Sequence, residues 1–83
     1  MENKEAYPFP NQEQITRKLV QDYPNLSLAE IRVCTYLRMN MTSNRIAKIT
    51  ERSVRTIEFT RNRIRKKMNL KPDENLTKHI LSL

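Results

Sequence analysis

The sequence predicts a compact all-α domain, and three observations carry that reading. Apolar residues recur at helical spacing in one segment after another, and helix-capping residues stand ahead of them. No run alternates apolar and polar residues between hairpin turns, as a half-buried strand does. The chain has 83 residues and no glycine. That length supports one domain, with a small core: a chain of this size buries only about 60% of the surface its unfolded form exposes.

The elements follow in order. Residues 1–10 are expected to be a disordered tail, because Pro8 and Pro10 oppose helix and no apolar run is present. Residues 11–25 read as an N-terminal amphipathic helix and its connector. Ile15, Leu19 and Tyr23 recur four apart on one face, and Pro24 ends the helix. Residues 26–83 hold four further helices. Ser27 and Glu30 form an S-x-x-E capping box, and Leu26 with Ile31 has the spacing of a hydrophobic staple. The second helix then buries Ile31, Cys34 and Leu37, with Val33 nearby. It stops at Asn40, since asparagine tolerates the left-handed conformation that closes helices.

Thr42 is the expected cap of a short third helix, with Ile46, Ala47 and Ile49 as its core residues and Met41 repeating the staple. Thr50-Glu51-Arg52 ends it. Ser53 caps a fourth helix that runs to about Met68, where Asn69 repeats the role of Asn40. Pro72 marks the last break. A fifth helix begins near Asp73 to Asn75 and carries Leu76, Ile80 and Leu81.

The formal charge is +7, and its placement is uneven. Residues 1–30 carry a net −2, residues 31–71 a net +10, and residues 72–83 a net −1. A basic stretch often only solvates a surface. Here twelve Lys and Arg face just Glu51 and Glu58 over half the chain, and such a run repels itself. A polyanion relieves that repulsion by releasing counterions, which points to nucleic acid as the partner.

The fourth helix concentrates this charge. At about 100° per residue, Ile57, Ile64 and Met68 fall on one side. Arg55, Glu58, Phe59, Asn62 and Lys66 fall on the other. Arg63 and Lys67 lie on one flank, Arg61 and Arg65 on the opposite one. A short helix, a turn of about three residues and a second, basic helix form the helix-turn-helix pattern. The second helix suits a major groove about 12 Å wide, with base edges ahead and phosphates on both walls.

Other functions lack their residues. No acid–base pair stands with a nucleophile, there is no Gly-rich phosphate loop and no cluster of metal ligands, so neither enzyme, cofactor nor metal is expected. His79 is the only histidine, with no second ligand beside it. Cys34, the only cysteine, excludes an internal disulfide and reads as a buried, inert thiol in a reducing, cytoplasmic protein. No stretch approaches the roughly 20 apolar residues of a membrane span, and the N-terminus is not a signal peptide. Met39, Met41 and Met68 read as core or core-edge residues. Glu30 is read as a capping residue rather than a catalytic acid.

An ordered set of motifs extends the pattern. Leu26-Ser27-x-x-Glu30-x-x-Val33-Cys34 is followed by Asn40-x-Thr42-x-x-x-Ile46-Ala47, then Ser53-x-x-Thr56-Ile57, then Asn62-x-Ile64-x-x-Lys67-Met68-Asn69-Leu70. Together they resemble the LuxR-type helix-turn-helix domain, also called the GerE or NarL/FixJ output domain, over roughly residues 26–83. The resemblance implies a four-helix core, here with one extra N-terminal helix. It implies double-stranded DNA binding in a transcription regulator, and homodimers on inverted half-sites with the last helix at the subunit contact. The chain departs from the family at several places. Asn40 and Asn69 stand where glycine is usual, and Arg52 where an apolar residue is usual. Glu58 stands where many members carry a basic residue that touches DNA, and Thr60 replaces a frequent histidine. The family's contacts therefore do not transfer at positions 58 and 60.

The expected base-facing residues are Arg55, Glu58, Phe59 and Asn62, and the expected phosphate-holding residues are Thr56, Arg61, Arg63, Lys66 and Lys67. Two side chains keep alternatives. Phe59 either packs on a neighbouring helix or, as its angle favours, meets a thymine methyl. Glu58 either accepts from cytosine or orients Arg55, Arg61 or Asn62. Two other functions fit the residues. A domain like region four of a sigma factor would add RNA polymerase as a partner. A protein-interaction module would use Ile15, Leu19 and Tyr23, provided they are exposed.

Overall fold

The helix that begins at the capping box is the one on which three of the others pack. The computed structural model describes residues 13–83, in which five helices run in the order α1 (Glu13–Asp22), α2 (Leu28–Arg38), α3 (Ser43–Thr50), α4 (Val54–Lys67) and α5 (Leu76–Leu81). The described residues contain no strand. The tail expected over residues 1–10, and Asn11 and Gln12 of the expected first helix, lie outside them. Helices α1, α4 and α5 each pack on α2, and α3 packs on α4. Seven of the eleven α2 residues are buried, Glu30 and Thr35 among them.

Local chemistry sets where each helix starts. The Ser27 hydroxyl accepts from the Glu30 amide at 3.2 Å, and the Glu30 carboxylate accepts from the Ser27 amide at 2.8 Å, completing the capping box. Leu26 and Ile31, the staple pair, are both buried. Thr42, Ser53 and Asn75 cap α3, α4 and α5 by accepting from the amides of Arg45, Thr56 and Lys78.

Three helices stop in the same way, without glycine. Asn40, Glu51 and Asn69 adopt φ of 63°, 57° and 58°. At each, the next residue's amide reaches back five residues: Met41 to the Tyr36 carbonyl, Arg52 to Ala47 and Leu70 to Arg65. This is the Schellman closure. Asparagine suits the left-handed position, whereas Glu51 occupies it against the steric preference of its Cβ.

The core joins all five helices: Ile15 and Leu19 from α1, Cys34 and Leu37 from α2, Ile46 from α3, Ile57 and Ile64 from α4, and Leu76 and Ile80 from α5. The α1 face is therefore turned inward, with Tyr23 partly buried against it, and the exposure required by the protein-interaction reading is not met. The Tyr23 hydroxyl lies 3.0 Å from His79 Nε2, which ties α1 to α5. Two expected core positions differ. Ile49 is 45% exposed and Leu81 is 41% exposed, because each projects beside the buried arc of its short helix. Met39, expected at the core or its edge, is the C-cap residue of α2 and is 37% exposed. Cys34 is fully buried, and burial pushes its thiol up to about 12, helped by the charge of Glu30.

Candidate nucleic-acid interface

The turn between α3 and α4 determines how the basic helix is presented. Glu51 closes α3, Arg52 follows, and Ser53 opens α4, so the helices meet through three non-helical residues. The Ser53 hydroxyl also lies 2.9 Å from the Thr56 hydroxyl, engaging both at the first turn of α4. From there Ile57, Thr60 and Ile64 form the buried side of α4, with Met68 just beyond its end. Thr60 is accommodated there because its hydroxyl donates to the Thr56 carbonyl at 2.9 Å.

The opposite side is an uncovered ridge. Arg55, Glu58, Phe59, Asn62 and Lys66 are all exposed. The ridge side chains of Glu58, Asn62 and Lys66 make no hydrogen bond or ion pair among the described residues, so their polar ends face solvent. Phe59 is not among the side chains packed against the core. It is 53% exposed, and the Arg55 guanidinium lies over its ring at 5.4 Å from the centroid. The four expected base-facing residues thus share one accessible surface.

The expected phosphate-holding residues divide. Thr56 and Lys66 are exposed. Arg61 is half-buried, donating to the Ser43 hydroxyl of α3 at 3.1 Å. Arg63 and Lys67 converge on the carboxylate of Glu30, at 3.2 Å and 2.8 Å respectively. Lys67 also donates to the Asn25 carbonyl at 3.0 Å, and Arg63 to the Thr60 hydroxyl at 3.4 Å. This flank therefore plays a structural part, fastening α4 to the start of α2. Arg65, on the other flank, donates to the carbonyls of Lys71, Pro72 and Glu74 and organises the α4–α5 loop.

Glu30 is therefore more than a cap. Its carboxylate is almost wholly buried yet holds its charge. Burial alone raises its pKa, but hydrogen bonds from Lys67, the Ser27 amide and Arg63 outweigh that cost and bring it down to about 2. Sequence reasoning identified the capping box and missed this second role. Helical periodicity places Arg63 and Lys67 four apart on one flank of α4, but no local feature of the sequence pairs them with Glu30.

No described helix is long and apolar enough to cross a membrane, and no group of three or more metal-ligating side chains occurs among the described residues. Comparison with protein-family models, with curated proteins and with solved structures gave no match, so the functional reading rests on this chain's own residues.

Proposed function

We propose that this chain is a sequence-specific double-stranded DNA-binding domain of the LuxR type, acting without catalysis as a cytoplasmic transcription regulator or as the output domain of one. The observation that carries the proposal is the ridge of α4. Five polar, charged or aromatic side chains project together from a helix whose other side is anchored in the core. A helix about 10–12 Å across fits a major groove of about 12 Å, and its first turns meet base edges. Arg55, Glu58, Phe59 and Asn62 are the base-facing set. Thr56 and Lys66 hold phosphates from α4, and the exposed Arg45 and Lys48 of α3 supply further positive charge. Arg63 and Lys67 act indirectly, by holding the helix in place through Glu30. A second copy would meet this one at α5, where Leu81 is exposed.

The test is a titration of the full chain against a labelled duplex at increasing salt. With about three phosphates neutralised, by Lys66, Arg45 and Lys48, log affinity falls with log salt at a slope near −3. Absence of duplex binding at low salt overturns the proposal.

A further inference from the structure

We infer that Arg55 and Phe59 act as one stacked reading unit, and that the DNA this chain selects carries a guanine and a thymine in base pairs no more than two steps apart. The inference rests on the proposed DNA-binding role and adds the bases to it.

The geometry begins with the stack. Arg55 and Phe59 are one turn apart on α4, and the guanidinium carbon lies 5.4 Å from the ring centroid. Attraction between the cation and the ring face orients the guanidinium without using its N–H donors. Arg55 makes no hydrogen bond or ion pair among the described residues, so its donor edge remains open. A free arginine on a helix surface samples many rotamers, and ordering it on binding costs affinity. Here the ring limits that sampling beforehand. The open edge of a planar guanidinium matches the two acceptors of guanine in the major groove, O6 and N7.

Phe59 contributes its remaining surface. It is 53% exposed on the ridge and has no polar atom to offer a base edge. The apolar group in the major groove is the thymine methyl. Successive base pairs are spaced by about 3.4 Å along the duplex. The 5.4 Å between the guanidinium carbon and the ring centroid is less than two base-pair steps, whatever its direction relative to the duplex axis. A guanine under Arg55 and a thymine methyl against Phe59 therefore fall within that distance of each other.

The test selects duplexes from a random pool with the full chain, then measures affinity for the selected duplex and for two altered forms. One replaces the thymine by deoxyuridine, which lacks only the methyl group. The other replaces the guanine pair by an adenine pair. For the unaltered chain, loss of the methyl weakens binding about four-fold, and loss of the guanine weakens it about ten-fold or more. Phe59→Ala abolishes the sensitivity to deoxyuridine and reduces the guanine preference, because the stack is gone. Phe59→Leu keeps an apolar contact and so keeps the deoxyuridine sensitivity, while still losing part of the guanine preference. Both residues are exposed, and circular dichroism melts of the variants check that the fold is unchanged. A selected site with no thymine and guanine within two steps, or a Phe59→Ala variant with undiminished sensitivity to both replacements, overturns the inference and leaves DNA binding standing. Failure to bind any duplex overturns both.

Discussion

Lys67 Nζ lies 2.8 Å from Glu30 Oε1, joining the last turn of α4 to the first turn of α2 across 37 residues of sequence. The two partners differ in environment. The Glu30 side chain is 2% exposed and that of Lys67 is 34% exposed, so the pair is a buried anion held by a cation that can reach water. Their removals are therefore unequal. Glu30→Ala leaves a cavity and strips the Ser27 amide of its acceptor, and costs about 3 kcal/mol. Lys67→Met leaves Arg63 and the Ser27 amide on the carboxylate and costs roughly 1–2 kcal/mol. Urea unfolding of both variants measures the difference. A larger loss from Lys67→Met than from Glu30→Ala would contradict this arrangement.

The same carboxylate makes stability depend on pH. Its folded-state pKa is about 2 against an ordinary 4.5. A depressed carboxylate pKa contributes stability that is fully present above the unfolded value and is lost as pH falls through the folded one. The contribution, on the order of 3 kcal/mol, therefore disappears between about pH 5 and pH 2. Thermal melts across that range should show the Tm falling steeply for the natural sequence and less steeply for Glu30→Gln. Parallel curves for the two proteins would assign the acid sensitivity to other groups.

Glu51 is the position where substitution should stabilise the fold. It holds a φ of 57° with a side chain that gains nothing from that conformation. Glycine removes the Cβ penalty at some entropic cost, so Glu51→Gly is expected to add about 0.5–1 kcal/mol. In a domain of this size that raises the Tm by a few degrees. An unchanged or lower Tm would mean that the turn is held by something other than its backbone conformation.

Much of this fold was legible because its signals are local. Ser27, Thr42 and Ser53 each bond to a backbone amide three residues on, a contact that needs no tertiary structure. Asn40 and Asn69 were readable for the same reason. Glu51 was not, since glutamate has no left-handed preference and the turn is imposed by the packing of α3 on α4. The division among the basic residues was also hidden. Helical periodicity places Arg63 and Lys67 on one flank, but only the approach of α2 shows that a buried acid waits there. Arg65 likewise depends on the path of the 71–74 loop, whose carbonyls it gathers. Ile49 and Leu81 show the limit of reading apolar residues as core: helical position matters, and theirs falls outside the buried arc. The ridge was legible because an α-helix anchored by Ile57 and Ile64 has to expose the opposite side.

The central claim is that this ridge reads DNA sequence, and one measurement addresses it most directly. The affinities of the natural sequence, Asn62→Ala and Lys66→Ala are compared on a selected duplex and on random duplex, at two salt concentrations. Asn62 faces base edges on this account, where a bidentate contact contributes about 1–3 kcal/mol of discrimination. Asn62→Ala should therefore reduce the preference for the selected duplex by about ten-fold. Lys66→Ala should weaken both duplexes alike and make the salt slope shallower by about one unit. Loss of specificity in Lys66→Ala with none in Asn62→Ala, or equal binding of the two duplexes by the natural sequence, would contradict the account.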